Sequence, residues 1–278
     1  MNDTSGNIPD IVFIVPYRDR EPQRFAFTSI MKTIVEDINC KIIFANQNDT
    51  RPFNRGAMKN AGFVYIKNTY PEDYKNITFV FHDIDVMPWY KGQFSYKTSF
   101  GIINHFYGFK RALGGIFAIK GKDFEDANGF PNYWSWGLED NVLKWRVDNL
   151  GKKIIYNDFV EYSDNNSNII GLGHGWDRKI NDKLEFRARY RMNEMIEGIK
   201  TLLGLEYTIV DINNIFIELN VNKFETGDNL NSPYITNIQS KDSRKNTRLN
   251  NYNKKISFKK GDARNFGRNK GFGSMLMF

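Results

Sequence analysis

Short apolar runs alternate along this chain with segments of helical spacing, and this alternation constrains the fold more than any other feature. The first run, IVFIVPY at residues 11–17, predicts a buried strand that Pro16 stops. The same patterns predict strands at 41–47, 76–83, 112–119 and 152–156, a strand pair within 207–221, and helices at 21–37, 54–63, 139–150 and 183–204. The apolar side chains expected on the inner face of the first helix are Phe25, Ile30, Ile34 and Ile38. Strand–helix–strand order with crossovers predicts an α/β fold, a mixed and mostly parallel sheet flanked by helices, whose ligands bind beyond the carboxyl ends of the strands.

The positive charge of the chain is concentrated at one end. The formal net charge is +7, yet residues 223–278 carry 12 of the 39 Lys and Arg and 4 of the 32 Asp and Glu. The remainder is close to neutral, so the charge does not indicate a main domain that binds nucleic acid. We expect an N-terminal extension at 1–10, one domain at 11–222 and a basic, flexible tail at 223–278. The tail could bind nucleic acid or an anionic surface, or it could be a solvated segment that aids solubility.

The single cysteine, Cys40, excludes an intramolecular disulfide and favours a reducing compartment. The segment MNDTSGNIPD lacks the basic start and the apolar core of a signal peptide. No apolar run approaches the roughly 20 residues that cross a bilayer. The sequence therefore predicts a cytoplasmic protein without a membrane span.

Two carboxylates, Asp83 and Asp85, follow the apolar run TFVF and stand two residues apart. At the end of a strand both can face a ligand, and carboxylate oxygens there can hold a hard divalent cation. Such a cation bridges diphosphate oxygens and neutralises the charge of a leaving group. An isolated Asp-x-Asp is more often a solvated turn, but its position directly after a buried strand favours the metal site.

A second acidic pair, Glu139 and Asp140, begins a predicted helix directly after the aromatic residues Tyr133, Trp134 and Trp136. The rings could form a stacking floor for a sugar, and either carboxylate could accept the proton of an attacking hydroxyl. The alternative is a pair of helix-capping acids beside a core aromatic cluster, because carboxylates favour helix N-termini.

Cationic side chains follow two of the predicted strands. The first strand runs into PYRDR, where the guanidinium groups of Arg18 and Arg20 can bind phosphate or the edge of a base. Residues 53–55, Phe-Asn-Arg, begin the next helix, and a helix start also suits an anion. Each cluster taken singly could equally be a surface salt-bridge site.

Taken together and in this order, these segments resemble the β-1,4-galactosyltransferase family. The similar segments here are PYRDR, ANQNDTRPFNRGAMKNAGF, FHDIDVMP, LGGIFAI and GFPNYWSWGLEDNVLKWR. The family has a PFRNR-like start, an NQ…FNRAKLLNVGF-like stretch, F-x-D-V-D-x-x-P, FGGVSA and GFPNNYWGWGGEDDD. The likeness spans about residues 11–221, and the block 129–140 is its most specific part. It implies a GT-A fold and an inverting, metal-dependent single displacement that moves a sugar from a UDP-sugar to a hydroxyl of a glycan or glycoconjugate.

The resemblance also implies roles for individual residues. Asp140 would be the catalytic base, and Glu139 would hold donor or acceptor hydroxyls. Residues expected to contact the nucleotide-sugar are Pro16, Tyr17, Arg18, Arg20, Phe53, Asn54, Arg55, Asp83, Ala112, Gly114, Gly115 and Trp136. Residues expected at the acceptor are Tyr133, Trp134, Trp136 and Glu139.

The resemblance further implies a divalent cation, expected to be Mn²⁺, held by Asp85 and a downstream histidine. His174 in GLGHGWDR is preferred, because it follows the Glu-Asp helix. His82 adjoins the Asp-x-Asp motif and His105 lies in an aromatic loop, and either could be a structural histidine. Gly171 stands where many members have a methionine three residues before the metal histidine, so no third ligand is assigned.

Three departures from the family pattern carry information. The membrane anchor and disulfides of the secreted-pathway members are absent, which suggests a bacterial or viral enzyme. Leu138 replaces the second glycine of Trp-Gly-Gly-Glu-Asp, so we expect the loop to move less freely. Ala112 stands where galactose-transferring members have a tyrosine that crowds the C2 substituent of the sugar. We therefore hypothesise that UDP-GalNAc or UDP-GlcNAc is used at least as well as UDP-Gal.

Two other functions are compatible with these motifs. One is a chondroitin-polymerase-like GT-A transferase, whose Trp-Gly-x-Glu-Asp element is similar. The other is a non-catalytic carbohydrate- or nucleic-acid-binding protein that keeps a transferase scaffold.

Overall fold

A computed structural model describes residues 7–135, 137–162, 168–173 and 195–227, in which a mixed sheet carries helices on both faces. The strands are β1 (Ile11–Tyr17), β2 (Cys40–Gln47), β3 (Thr78–His82), β4 (Val86–Met87), β5 (Ile102–Gly108), β6 (Ile116–Lys120), β7 (Lys153–Ile155), β8 (Val160–Glu161), β9 (Ile170–Gly171), β10 (Leu203–Asp211) and β11 (Phe216–Glu225). The helices are α1 (Glu21–Ile34), α2 (Arg55–Thr69), α3 (Gly121–Asp126) and α4 (Glu139–Asn149), with a short 3-10 helix at Ile199–Thr201. No helix in these ranges is long and apolar enough to cross a membrane.

Nine of the described strands form one sheet in the order β10-β11-β2-β1-β3-β6-β5-β7, with β8 paired to β5. β1 pairs in parallel with β2 and with β3, and β11 pairs in parallel with β2. The carboxyl ends of β1, β2 and β3 therefore meet at one edge of the sheet, where ligands of α/β folds bind. β4 and β9 form a separate antiparallel pair just beyond the end of β3.

Both faces of the central strands are buried, which explains why β1 is continuously apolar instead of alternating. Val12 and Ile14 point to a core that also contains side chains of α2, α3 and α4. Ile11, Phe13 and Val15 point to a second core, on the opposite face, which α1 covers.

The inner face of α1 differs from the prediction. Phe25 is 77% exposed, whereas the buried side chains of the helix are Phe27, Met31 and Ile34. Two residues turn a helix by about 200°, so the burial of Phe27 necessarily directs Phe25 towards solvent. Ile30 and Ile38 pack at the margin of the same core.

Several boundaries also differ from the prediction. α2 continues to Thr69, beyond the predicted helix at 54–63, and β6 begins only at Ile116. The strand starts late because Gly115 has a left-handed backbone with φ +71°, which interrupts an extended chain. The predicted helix at 183–204 is wrong over its described part, because residues 199–201 form a 3-10 turn and β10 starts at Leu203. β5 and α3 were not predicted, and β11 extends three residues past the predicted domain end at 222.

Candidate active site

The first turn of α2 is anchored by a buried asparagine. The Asn54 side chain accepts a hydrogen bond from the Ala57 backbone N–H at 2.9 Å, which caps the helix. Its amide donates to the Asn132 carbonyl at 3.0 Å, and its backbone N–H donates to the Gln47 side chain at 2.7 Å. Asn54, expected to contact the nucleotide-sugar, is thus a buried helix cap that fixes the side chain following it.

That side chain, Arg55, connects the two acidic motifs. One guanidinium nitrogen, Nη2, donates to Asp83. The other, Nη1, donates to Glu139 and also to Asp140 Oδ2, the latter at 2.7 Å. The first aspartate of Asp-x-Asp and the predicted catalytic pair therefore all contact one cation, Arg55, which is itself a predicted nucleotide contact.

Lys59 lies one helical turn after Arg55 on the same side of α2 and adds a second cation to the cluster. Its Nζ is 3.1 Å from Asp140 Oδ1 and 4.3 Å from the centre of the Phe130 ring. Two cations thus face three carboxylates, which leaves one net negative charge.

The pKa values in this cluster reflect burial opposed by charge. Burial alone would lower the pKa of Arg55, but Asp140, Asp83 and Glu139 outweigh it and hold that pKa well above its ordinary value. The pKa of Lys59 is lowered, first by burial and then by the nearby Arg55 charge. Burial raises the pKa of Asp83, but the cations Arg55 and Lys59 reverse this, and the net pKa is lowered. The cluster is therefore a site with fixed charges in a setting of reduced dielectric.

The glycine pair predicted at the donor sugar joins these motifs. A Cβ atom on Gly114 would lie 2.5 Å from Asp140 Oδ2, so the carboxylate occupies the space that a side chain would need. The Gly115 carbonyl accepts a hydrogen bond from the Asp83 backbone N–H at 2.9 Å, and the Leu113 N–H donates to the Asp140 carbonyl at 3.0 Å. The segment just before β6 therefore holds the end of β3 and the start of α4 together.

The predicted nucleotide residues of the first strand divide into two groups. Arg18 lies with its guanidinium 5.3 Å from the centre of the Phe53 ring and donates to the Arg51 carbonyl at 2.7 Å. Burial lowers the pKa of Arg18. Arg20 is partly exposed at the start of α1. Pro16 and Tyr17 are buried, and the Tyr17 hydroxyl donates to Glu21 at 2.9 Å, so these two side chains support the site instead of facing it.

The aromatic residues before the acidic pair differ from the predicted stacking floor. Tyr133 and Trp134 are only 3% and 2% exposed. The Trp134 ring stacks on Phe224 of β11 at 5.3 Å, and the Arg51 guanidinium lies 4.7 Å from the Trp134 centroid. Both rings are core residues in this conformation, because Phe224 of β11 covers Trp134 while Tyr133 packs with Val142 and Leu138. Trp136 lies outside the described residues.

The backbone on either side of position 136 is left-handed. Ser135 has φ 73°, Gly137 has φ 129° and Leu138 has φ 67°. A residue with a side chain costs about 1–2 kcal/mol in this conformation, which glycine adopts freely. Leu138 therefore carries strain at the point where the family pattern has glycine, while its side chain packs near Tyr133 and Val142.

Two of the three histidines are buried among aromatic rings. His82 packs edge-on against Phe27 at 5.0 Å, and its Nδ1 is 2.9 Å from the Asp83 carbonyl. The Nε2 of His105 is 3.0 Å from the carbonyls of both Tyr107 and Gly114. Burial lowers the pKa of each imidazole to about 4. Both are neutral structural histidines at physiological pH, and His174 lies outside the described residues.

Asp85, the predicted metal ligand, stands where β4 and β9 meet. Its backbone carbonyl accepts a hydrogen bond from the Leu172 N–H at 2.7 Å, and the Gly173 carbonyl accepts one from Gln23 at 2.9 Å. Hydrogen bonds thus fix the chain beside Asp85 as far as Gly173, the residue that precedes His174. Within the described ranges, no group of three His, Cys, Asp or Glu side chains could hold a metal ion by itself.

Buried polar residues that the sequence did not reveal hold the loop before α4. Asn60 exchanges two hydrogen bonds with the Phe130 backbone, at 2.7 and 3.0 Å. Asn132 donates to the Gly198 carbonyl at 2.7 Å. Arg146 of α4 donates to the Gly129 carbonyl at 2.7 Å and to the Glu197 carbonyl, and burial lowers its pKa to about 10. These bonds fix the segment that delivers Glu139 and Asp140.

Comparison with known families and sequences gives a consistent result. A family model described as the N-terminal region of glycosyl transferase group 7 matches residues 7–96, and one described as the N-terminal domain of galactosyltransferase matches residues 91–163. The xylosylprotein 4-beta-galactosyltransferase of Caenorhabditis elegans is 28% identical over 236 residues, which cover 75% of this chain and 78% of that protein. The beta-1,4-galactosyltransferase 7 of Drosophila melanogaster is 25% identical over 228 residues, covering 78% of this chain and 68% of that protein.

Two solved structures share the fold. The catalytic domain of Drosophila beta-1,4-galactosyltransferase 7 in complex with xylobiose aligns with a TM-score of 0.60 at 21% identity, over 81% of this chain and 98% of that one. A mutant of that enzyme in complex with manganese, UDP-Gal and xylobiose aligns with a TM-score of 0.62 at 21% identity, over 82% and 99%. These likenesses confirm the predicted GT-A fold.

Proposed function

Because this chain belongs to the β-1,4-galactosyltransferase family, we propose that it transfers a hexose or N-acetylhexosamine from a UDP-sugar to a carbohydrate hydroxyl, with inversion and with the help of a divalent cation. The observation that carries the proposal is the contact of Arg55 with Asp83, Glu139 and Asp140. Arg55, one of the residues expected at the donor nucleotide, is within one hydrogen bond of Glu139 and of Asp140, the expected catalytic pair. A donor and an acceptor bound there would meet at Asp140.

In this mechanism Asp140 is the general base. Its carboxylate accepts the proton of the acceptor hydroxyl as the hydroxyl oxygen attacks the anomeric carbon from the face opposite UDP. Glu139, buried beside it, holds sugar hydroxyls, and the absence of a side chain at Gly114 leaves room for the Asp140 carboxylate itself. Arg18, which follows β1, and Phe53, which precedes α2, lie together, and a guanidinium and a ring suit a uridine diphosphate. Trp136 is proposed to close over both sugars and exclude water.

Asp85 and His174 are proposed to hold the cation. Asp85 supplies the carboxylate oxygen that a hard divalent ion prefers, whereas Asp83 is engaged by Arg55. Leu172, bonded to the Asp85 backbone, is two residues from His174, a span of at most about 7 Å. When bound, the cation would neutralise charge that develops on the departing diphosphate. Manganese fits this oxygen and nitrogen donor set, and it is the ion in the complex of the Drosophila enzyme.

The experiment that tests the proposed function is a transfer assay with product analysis. The protein is incubated with Mn²⁺, a UDP-sugar and a panel of glycan acceptors that includes xylobiose, the ligand in the Drosophila complexes. We expect a product heavier by one sugar, with an inverted anomeric configuration by NMR. Addition of several sugars in succession would favour the polymerase-like alternative, and UDP binding without any transfer would favour the non-catalytic scaffold.

The donor sugar is predicted to be N-acetylated at C2, or at least to tolerate that group. Ala112 is a small, buried residue two positions before Gly114, and its N–H donates to the Phe109 carbonyl at 3.0 Å. A methyl group there leaves room that a tyrosine ring would fill. We expect UDP-GalNAc or UDP-GlcNAc to be turned over at least as fast as UDP-Gal. Ala112→Tyr should lower the ratio of N-acetylated to plain donor use by about tenfold or more.

Steady-state kcat/KM for the three donors measures this preference. Ala112→Ser, which keeps the residue small, is the matched control and should retain the wild-type preference. Strict use of UDP-Gal by the wild type, with UDP-GalNAc and UDP-GlcNAc inert, would contradict the prediction.

A further inference from the structure

Lys59 is a buried lysine whose amine faces the catalytic pair from the interior of the protein. Its side chain is 1% exposed, in the middle of α2 and behind the first turn that carries Arg55. Among the described residues, its hydrogen bond is to Asp140 Oδ1 at 3.1 Å, and its Nζ also lies over the Phe130 ring at 4.3 Å. A lysine in such a place is unusual, because removing an ammonium group from water is costly unless the charge is paired.

The two cations on Asp140 occupy different positions. Arg55 is partly exposed, contacts three carboxylates and bonds Oδ2, the oxygen on the side of Gly114. Lys59 bonds the other oxygen from a position that solvent does not reach. A substrate that enters from the open side can therefore displace or share the Arg55 contact, whereas the Lys59 contact stays in place.

We propose that Lys59 is a positioning residue that holds Oδ1 of Asp140, with Oδ2 turned towards the acceptor hydroxyl. This inference rests on the proposed function, in which Asp140 is the base. Lys59 touches neither substrate nor metal in this role. It acts only through the carboxylate that it orients.

A positioning role and a structural role make different predictions for Lys59→Met. Methionine has a similar length and can pack on Phe130, but it removes one of the two cations that contact Asp140, and the loss of one partner of a buried ion pair is destabilising. Asp140 would keep its contact with Arg55. Because Arg55 remains and Asp140 is 20% exposed, we expect the melting temperature of Lys59→Met to fall by only a few degrees, while catalysis falls because Asp140 is no longer held.

The experiment compares the wild type, Lys59→Met, Lys59→Gln and Asp140→Asn in the same transfer assay, with UDP affinity measured by calorimetry and stability by thermal unfolding. For both Lys59 variants we expect kcat to fall by about 10- to 100-fold, the loss that a misplaced catalytic group causes, with UDP affinity and donor KM within about twofold of wild type. Lys67→Met is the matched control. Lys67 lies two turns further along α2, pairs with Glu125 at 2.5 Å and is remote from the cluster, so its kcat should not change.

Three results would count against the inference, and they can be told apart. Wild-type kcat in both Lys59 variants, with Asp140→Asn inactive, would overturn the role of Lys59 and leave the proposed function standing. Loss of kcat together with UDP affinity and melting temperature in both variants would show that Lys59 is structural. A wild type without transfer activity would overturn the proposed function itself.

Discussion

Asp140→Asn is expected to lower kcat for sugar transfer by about 10²- to 10⁴-fold, the usual contribution of a general base. An amide cannot accept the proton of the acceptor hydroxyl, yet it fits the same space beside Gly114, and its single oxygen can still accept a hydrogen bond from Arg55 or from Lys59. UDP affinity should therefore change little. Steady-state kinetics with saturating donor and UDP calorimetry together measure the two effects.

Asp148→Asn is the control for this substitution. Asp148 lies on the same helix, is largely exposed and pairs with Lys144 at 2.6 Å, so its replacement should leave kcat unchanged. An Asp140→Asn protein that keeps most of the wild-type transfer rate would show that another group is the base. Glu139 would then be the next residue to test.

Arg55→Met is expected to have the largest effect on stability. It removes the cation that three carboxylates share and leaves Glu139, which is 6% exposed, without that partner. Removing one partner of a buried ion pair typically costs about 3–5 kcal/mol. We expect about 3 kcal/mol in the free energy of unfolding, because Asp83 and Asp140 are 26% and 20% exposed and water can solvate part of their charge. Transfer should also be lost, since the acidic motifs would no longer be held together.

Denaturant unfolding of Arg55→Met and of Lys122→Met measures this difference. Lys122 pairs with Asp126 four residues along α3 at the surface, and breaking such a pair costs less than about 1 kcal/mol. Equal destabilisation in the two variants would mean that the Arg55 cluster contributes no more than a surface pair. The inference that Arg55 offsets the charge of three carboxylates would then be wrong.

The parallel strands at the centre of the sheet could be predicted because each of them is a short apolar run in the sequence. β1 is apolar throughout and β2 and β3 have continuous apolar centres, since both faces of the sheet are covered, and each is followed by polar residues at the edge where the site lies. β5 was missed because its apolar residues are mixed with Asn104 and His105, and the rings that pack on His105, Tyr156 and Phe159, come from a distant part of the chain. The helix expected at 183–204 was wrong from 195 onwards, where β10 pairs with β11 instead of following local spacing.

The candidate site was predictable as a set of motifs but not as a geometry. Asp83, Glu139, Asp140 and Arg55 were singled out in the sequence, and the structure brings all four into contact. The inward orientation of Trp134 was not foreseeable, because it depends on Phe224, ninety residues later in the chain. Lys59 was overlooked although a signal existed: four residues after Arg55, it had to lie on the same side of α2.

Other predictions concern parts of the chain outside the described residues or properties that a fold does not determine. The basic tail as a surface for nucleic acid or anionic lipid, the cytoplasmic location and the bacterial or viral origin all stay predictions. The roles of Trp136 and His174 also stay predictions. The structure describes residues near them in the chain, Leu138 after Trp136 and Gly173 before His174.

Metal-dependent sugar transfer, with the cation held by Asp85, is tested most directly by UDP release from a UDP-sugar with acceptor present. The release is measured in metal-free buffer and after addition of Mn²⁺, for the wild type and for Asp85→Asn. Asp37→Asn, which alters an exposed aspartate paired with Lys91, is the control. We expect turnover by the wild type and the control only with Mn²⁺. Turnover by Asp85→Asn should be lower by about 100-fold or more, because the cation contributes several kcal/mol to the departure of the diphosphate. Equal UDP release with and without metal, or wild-type turnover by Asp85→Asn, would contradict this expectation.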